Sequence, residues 1–321
     1  MKRSGRTIGV IGILVAAFLA ASGSFTDMAY AKRQITIVTS SAGGAWGPIG
    51  GVLANLITKN IPDTMGTVTG GGGIANVFSV GGGKADIGFA FPSDVANAEK
   101  GIEDFAGKPI KNIRVITPIY PGTLHIVALA AGNIKTITDM KGKIICVPPK
   151  GNTAEKMMRD VLKVYGLTYK DFKNVNYLGH SDAADLIRDG HADVFAGMST
   201  VPFPALNDLA KSRPLRLIHL DKEHMGKLLA EHPAYFEYVV PAGSYAGTSV
   251  PTSQPAMTTL IITRADMPND LIYQIAKLMH GNKQDFVSVV KTMEEMKIEN
   301  WRNTGGIPLH PGAEKFYKEQ K

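Results

Sequence analysis

Residues 34–48 read QITIVTSSAGGAWGP, and this stretch decides the fold. The alternating Ile, Thr and Val at 34–39 predict a buried strand, and the small residues at 40–48 predict a loop. A helix should follow, because five apolar side chains recur at helical spacing: Ile49, Val52, Leu53, Leu56 and Ile57. A strand, a small-residue loop and a helix in this order are typical of α/β proteins.

The same plan recurs in the second half of the chain. Residues 143–147 read KIICV and predict a strand, which runs into the loop PPKGNT at 148–153 and then a helix that Gly166 ends. A second pair of similar segments, GKADI at 83–87 and GHADV at 190–194, continues in short apolar strands that end in small polar residues. The sequence therefore predicts two α/β lobes of similar design with mainly parallel sheets.

Two apolar segments predict how the lobes are joined. Residues 113–130 carry the chain out of the first lobe and residues 258–263 return it, so the first lobe is discontinuous. We expect residues 32–125 and 256–321 to form lobe 1 and residues 126–255 to form lobe 2. Two crossings of this kind form a hinge, and the expected motion is closure around a ligand.

The small-residue loops are the predicted binding site, because ligands of parallel α/β sheets bind beyond the carboxyl ends of the strands. Glycines at 43–44 and 70–73 allow close approach and leave N–H groups at helix starts, which favours a carboxylate or phosphate. Plain turn chemistry is the alternative role of each glycine, and helix capping is that of Asn152 and Thr153. Trp46 lies in a glycine-rich loop, where burial is difficult, so we expect it to wall the cleft. The predicted ligand-binding residues are Gly43, Gly44, Ala45, Trp46, Gly71, Gly72, Gly73, Ile74, Phe91, Ser93, Tyr120, Asn152, Thr153, Ser199, Thr200 and Val201.

Signatures of enzymes, cofactors and nucleic-acid binding are lacking in the sequence. Neither glycine loop matches a phosphate-binding or dinucleotide fingerprint, and neither Gly-x-Ser-x-Gly nor His-Glu-x-x-His occurs. His125 lies in an apolar segment and is predicted to be a core histidine, and the single cysteine, Cys146, is predicted to be a buried, inert thiol. We therefore predict no catalytic residue, no metal and no cofactor. The net charge of +7 is spread along the chain without a basic cluster that would bind nucleic acid.

The N-terminus predicts export. Lys2, Arg3 and Arg6 precede an apolar run at 8–21, and Ala29-Tyr30-Ala31 is a small-x-small cleavage pattern, so residues 1–31 are predicted to be a signal peptide cut after Ala31. The apolar run is short for a membrane span, which needs about 20 residues, although an uncleaved anchor is the alternative. A lipid anchor is excluded because Cys146 lies far from this site. The mature chain is therefore expected in the periplasm.

The sequence resembles the TAXI-type solute receptors of tripartite ATP-independent periplasmic (TRAP) transporters over nearly the whole mature chain. The motifs that carry the resemblance are GG at 43–44, PIGG at 48–51, the glycine stretch ending at Asn76, ADIGFA at 85–90, SDVA at 93–96, YP at 120–121, LHIV at 124–127, KGK at 141–143, GNTAE at 151–155, YGL at 165–167, VPFP at 201–204 and IPLHPGAE at 307–314. The chain departs from the family pattern at Ala45-Trp46, where a pair of aromatic residues is frequent, and at Gly73, where a serine is frequent.

The resemblance implies a type II periplasmic-binding-protein fold and a monomeric receptor that catalyses nothing. It also implies a small anionic solute, such as a dicarboxylate, a 2-oxo acid or glutamate, and an integral-membrane TRAP permease as partner. Two alternatives stay open. One is an ABC-type or chemosensory binding protein of the same fold, and the other is a secreted hydrolase that uses Ser199 or a histidine.

Overall fold

The computed structural model describes residues 32–320. The predicted signal peptide and cleavage site lie outside the described residues. From Arg33 onward the chain forms one compact unit built on a single ten-stranded sheet, with the strand order β2-β1-β3-β10-β4-β7-β5-β6, in which β8 pairs with β4 and β9 with β10.

The first group of strands is parallel and alternates with helices. Strand β1 pairs in parallel with β2 on one side and with β3 on the other. The elements are β1 (Arg33–Val38), α1 (Trp46–Asn60), β2 (Thr64–Thr69), α2 (Gly73–Gly81), β3 (Ile87–Ala90) and α3 (Pro92–Lys100). This is the strand, loop and helix order that residues 34–57 predict.

A second parallel group repeats the arrangement, with β5 between β6 and β7. The chain enters it through a long strand, β4 (Ile113–Leu129), and leaves it through another, β10 (Thr252–Arg264). The elements between them are β5 (Ile144–Val147), α4 (Thr153–Val164), β6 (Asn174–Tyr177), α5 (His180–Arg188), β7 (Val194–Ser199), α6 (Pro204–Ala210), β8 (Leu215–Leu217), α7 (Lys222–Glu231) and β9 (Phe236–Val240). The chain ends with α8 (Asn269–Gly281), α9 (Lys283–Val289) and α10 (Pro311–Lys318).

The two long strands join the groups. Strand β4 pairs antiparallel with β10 over its first part and with β7 and β8 over its last part. Strand β10 pairs with β9 at its beginning and with β3 at its end. Both segments that the sequence singles out as crossings are therefore long strands shared by the two groups.

Three buried apolar clusters cover the faces of the sheet. The largest contains residues of both groups, such as Leu53 and Phe89 from the first and Met157 and Val161 from the second. Phe89 is fully buried, as the sequence predicts. Cys146 is a buried free thiol, and burial raises its pKa, in agreement with an unreactive core cysteine.

Candidate functional site

The loops that follow β1, β3, β5 and β7 meet at one edge of the sheet. The amide of Ala45 donates to Ser199 Oγ at 3.3 Å. The hydroxyl of Thr153 donates to Asp94 Oδ2 at 2.7 Å, and the amide of Ala75 donates to Gly151 O at 2.9 Å. Each bond joins the first parallel group to the second, so these strand-end loops lie in direct contact.

The loop at 42–43 contacts the starts of two helices in the second group. The Ala42 carbonyl accepts from Ser181 N at 3.3 Å on α5, and the Gly43 carbonyl accepts from Ala205 N at 3.2 Å on α6. Gly43 has φ +84°, and a Cβ there would lie 2.6 Å from Ser181 Oγ. Glycine is therefore required at this position by both backbone conformation and space.

Asn76 organises the glycine loop that precedes α2. Its side-chain amide donates to Thr39 O at 2.7 Å and to Phe89 O at 2.8 Å, and its Oδ1 accepts from Gly72 N at 3.0 Å. One buried side chain thus fixes the ends of β1 and β3 relative to the loop. A Cβ on Gly71 would collide with Asn76 Oδ1, which explains that glycine.

Gly72 and Gly73 allow the glycine loop of the first group to pack closely against the start of α4 in the second group. A Cβ on Gly72 would lie 2.7 Å from Asn152 Nδ2, and a Cβ on Gly73 would collide with the Thr153 hydroxyl. Asn152 also caps α4 by accepting from Ala154 N at 2.9 Å. The capping role that the sequence offers for Asn152 is therefore present.

A cavity of about 10 Å³ lies where the loops meet. Its lining contains neither a lysine nor an arginine, and no aspartate or glutamate. The lining residues are Ser40, Gly44, Ala45, Trp46, Phe91, Asn152, His180, Met198 and Ser199. This volume is about that of one water molecule, so a ligand of several atoms requires the two groups to separate before it can enter.

Six of the predicted residues line this cavity: Gly44, Ala45, Trp46, Phe91, Asn152 and Ser199. Five others do not line it but take part in the contacts described above: Gly43, Gly71, Gly72, Gly73 and Thr153. The remaining five have other surroundings. Ile74 packs in an apolar cluster, and Ser93 Oγ donates to Met257 Sδ. Thr200 Oγ1 donates to Pro202 O, and Val201 O accepts from Thr292 Oγ1.

Tyr120 is the fifth of these. Its ring is 1% exposed and belongs to the large core. It borders a second cavity of about 320 Å³ beside β4 and β10.

The prediction that Trp46 lies in a loop and escapes burial is wrong. Helix α1 begins at Trp46, and the indole is 8% exposed. The ring stacks on Phe89 at 5.4 Å and lies 5.3 Å from Phe91, centroid to centroid. Trp46 is the first residue of α1, and its ring packs at the end of β3 while it also lines the cavity.

Three lining residues were missed by sequence reasoning: Ser40, His180 and Met198. His180 is the first residue of α5, directly after β6 and a two-residue connection. It therefore lies where a strand ends and a helix begins, which is the position that led us to the other loops. Assigning residues 174–177 as a strand would have identified it.

Two buried titratable groups set the electrostatics of the site. Burial raises the pKa of Asp94 to about 7, although Oδ2 accepts from Phe91 N at 3.1 Å and from the Thr153 hydroxyl. Burial lowers the pKa of His180 to about 4, so the ring is neutral near pH 7. The positive ends of α1 and α2, whose first N–H groups lack intrahelical partners, also point to this edge. The arrangement suits an anion held by neutral donors.

His125 is a core histidine, as predicted. Its Nδ1 donates to Thr123 O at 2.9 Å, and its Nε2 accepts from the Tyr245 hydroxyl at 2.8 Å. Tyr245 Oη in turn accepts from Phe203 N at 2.6 Å. These bonds fix a neutral tautomer, in keeping with a pKa that burial lowers to about 4.

A larger cavity of about 590 Å³ lies away from the strand-end loops, between β8 and the start of β10. None of the predicted site residues lines it. The Arg216 guanidinium there donates to three carbonyls, those of Ala130, Gly132 and Ile134. The Arg216 side chain is therefore held in place by backbone carbonyls of residues 130–134.

Residues 32–320 contain no group of three or more His, Cys, Asp and Glu side chains arranged to hold a metal ion. Within the same residues, no helix has the length and apolar character needed to cross a membrane.

The sequence model of the NMT1-like family matches residues 37–320. The chain belongs to the NMT1-like family. The predicted fold class, an α/β protein of the type II periplasmic-binding-protein kind, is confirmed. The lobe boundaries stay a prediction.

Several solved structures are similar to this NMT1-like chain at low sequence identity. The periplasmic aliphatic sulphonate binding protein SsuA from Escherichia coli is 16% identical, with 89% of this chain and 78% of that chain covered and a TM-score of 0.44. The alkanesulfonate-binding protein SsuA from Xanthomonas axonopodis pv. citri is 18% identical, with 89% and 83% covered and a TM-score of 0.45. The substrate binding protein of an amino acid ABC transporter is 15% identical, with 81% and 98% covered and a TM-score of 0.47.

Proposed function

We propose that this NMT1-like protein is a periplasmic solute-binding receptor that captures a small carboxylate between two lobes and delivers it to a membrane permease of the TRAP type. Lobe 1 comprises residues 32–125 and 256–321, and lobe 2 comprises residues 126–255. The ligand is a dicarboxylate, a 2-oxo acid or an acidic amino acid such as glutamate. The transporter class rests on the resemblance of the sequence motifs to TAXI-type receptors.

The observation that carries the proposal is the convergence of polar groups from both parallel groups of strands on one cavity. The Ala45 amide and the Ser199 hydroxyl come from opposite groups and bond each other at 3.3 Å. Both face the cavity with Asn152 and His180, and all four are neutral groups that can donate hydrogen bonds. Such donors, together with two helix N-termini, favour an anion without requiring a cationic side chain.

Binding then follows from exchange of partners. A ligand oxygen accepts the hydrogen bond that Ala45 N donates to Ser199 Oγ in this structure, and the Ser199 hydroxyl donates to another ligand oxygen. The rings of Trp46 and Phe91 exclude water from the apolar part of the ligand. A ligand that touches both lobes favours the closed arrangement only through its higher affinity for that arrangement. No covalent step is needed.

Calorimetric titration of the mature protein with L-glutamate, 2-oxoglutarate and succinate tests the proposal. We expect at least one to bind with micromolar or tighter affinity, about −8 kcal/mol or better. If none binds, the proposed ligand class is wrong.

Two variants test the location of the site. Gly72→Asp introduces a side chain where a Cβ alone lies 2.7 Å from Asn152 Nδ2, and Thr153→Ala removes the hydroxyl that reaches Asp94. We expect both to lose most of the affinity. Gly51→Ala is the matched control, because a Cβ there has nothing within 4 Å. Undiminished binding by both variants would refute the location of the site.

The alternative on the same fold is an ABC-type or chemosensory binding protein. The genes beside this one discriminate, because a TRAP receptor is expected next to a permease gene and an ABC-type protein next to an ATPase gene. A secreted hydrolase that uses Ser199 would consume the bound ligand, which mass spectrometry of the incubated mixture would detect.

A further inference from the structure

His180 is a buried polar side chain inside the cavity. It is 2% exposed, and its ring packs edge-on against Phe203 at 5.0 Å and lies 6.2 Å from Phe195. Two glycines make room for the ring. A Cβ on Gly197 would lie 3.1 Å from its Nδ1, and a Cβ on Gly44 would lie 3.4 Å from its Cδ2. The imidazole therefore stands between β7 of the second group and the loop after β1 of the first.

The ring has no polar partner among residues 32–320. Burial is the single cause that lowers its pKa, and no hydrogen bond or charge opposes it. Its nitrogens are not among the fully enclosed side-chain atoms that lack a partner, so they keep access to the cavity that the ring lines. A ligand oxygen in the cavity would supply the missing partner, since one imidazole nitrogen always carries a proton.

Few charges compete with a ligand at this position. The cavity residues that the loop after β1, the loop before α4 and the end of β7 contribute are not ionisable. Two other titratable groups are relevant: His125 on β4, which burial holds neutral, and Asp94 on α3, whose pKa burial raises to about 7. On its own helix the next ionisable residue is Asp182, which is exposed to solvent. Asp94 is the same in wild type and in variants of His180, so a comparison between them isolates the contribution of the ring.

We propose that His180 donates a hydrogen bond to an anionic oxygen of the ligand and takes up a proton from solvent when that anion binds. This inference rests on the proposed function and extends it, because it makes His180 a specificity-determining residue that requires a negatively charged group on the side of the ligand facing lobe 2. Anion binding favours the imidazolium, so the pKa of His180 is higher in the complex than in the free protein. The affinity consequently rises as the pH falls through the pKa of the complex.

The experiment measures the affinity for L-glutamate and for 2-oxoglutarate at pH 7.5 and pH 5.5 in wild type, His180→Asn and His180→Gln. A bound anion that raises the pKa of His180 by about 2.5 units gives wild type roughly tenfold tighter binding at the lower pH. Loss of a hydrogen bond to a charged group weakens binding roughly tenfold or more. We expect both variants to bind weakly and with a smaller dependence on pH than wild type, because Asp94 still titrates in this range. His191→Asn is the control, because His191 is exposed and lies outside the cavity.

The outcomes separate this inference from the proposed function. Wild-type binding with the expected pH dependence, lost in both variants, supports the role of His180. Wild-type binding that the variants retain with the same pH profile overturns that role and leaves the receptor function intact. Binding of neither probe by wild type overturns both.

A second measurement applies if the variants do not fold, as judged by their thermal transitions. The ring resonances of His180 are then followed by NMR against pH in the wild-type protein, with and without ligand. An upward shift of the pKa on binding supports the proposal, and an unchanged titration refutes it.

Discussion

The carboxyl group of Asp94 makes folding stability depend on pH, and Asp94→Asn should remove that dependence. The group lies between α3 and α4 and is 1% exposed, and its Oδ1 has no hydrogen-bond partner within the described residues. Burial raises its pKa from 3.8 to about 7, so the folded protein holds this proton more tightly than the unfolded chain does. The stabilisation is fully present below the unfolded pKa and is lost as the pH rises through the folded pKa.

The magnitude follows from the difference of about 3 pKa units. One unit corresponds to about 1.4 kcal/mol, which gives about 4 kcal/mol in all, and about 2.5 kcal/mol of it is lost between pH 5 and pH 8. Histidines 125, 180 and 280 act in the opposite direction, because burial lowers their pKa values to about 4 and their charging destabilises the fold as the pH falls. The contribution of Asp94 is therefore read from the difference between the variant and wild type.

Urea unfolding monitored by tryptophan fluorescence measures the free energy of unfolding of both proteins from pH 5 to pH 8. The amide in Asp94→Asn keeps an oxygen that can accept from Phe91 N but does not ionise. We expect the variant to gain about 2.5 kcal/mol relative to wild type between pH 5 and pH 8. A difference that stays constant over this range would refute the assignment of a raised pKa to this carboxyl group.

Two further outcomes follow from single contacts. Gly43→Ala should weaken ligand binding without unfolding the protein, because φ is +84° and the new Cβ would press on the start of α5. Calorimetry measures the affinity, and an unchanged affinity would contradict this role of the contact. Tyr245→Phe should destabilise the fold by about 2 kcal/mol, because it leaves the buried Phe203 amide and His125 Nε2 without their shared partner. Urea unfolding measures the loss, and Tyr238→Phe, at a half-exposed position whose hydroxyl makes no hydrogen bond within residues 32–320, should change stability far less.

The alternation of strands and helices was predictable because its signals are local. The strand at 34–39 and the helix stripe at 49–57 depend on period and on residue type, and both are present in β1 and α1. The crossing strands were predictable in part: residues 113–130 coincide with β4, whereas β10 begins at Thr252, six residues before the predicted segment 258–263.

The details of the site were less predictable because they depend on contacts distant in sequence. Trp46 was assigned to a loop, but Phe89 and Phe91, more than forty residues away, give it a buried position. Asn76 carries no local pattern of function, and the only local signal for His180 is its place at the start of a helix after the strand at 174–177. The first is defined by carbonyls at the ends of β1 and β3, and the second by space that Gly44 and Gly197 leave.

The pairing of β4 with β10 has a mechanical consequence. The ladder loses regularity between Thr258 and Leu260, opposite Pro118 and Pro121, neither of which has an N–H to donate. A strip with fewer cross-links bends more easily than its flanks, so any rotation of one parallel group against the other should concentrate its curvature here. Tyr120 lies between the two prolines, so an aromatic ring of the large core stands beside this irregular part of the ladder. A bulkier or smaller side chain at 120 would therefore change the packing at the place where the two long strands are least regularly paired.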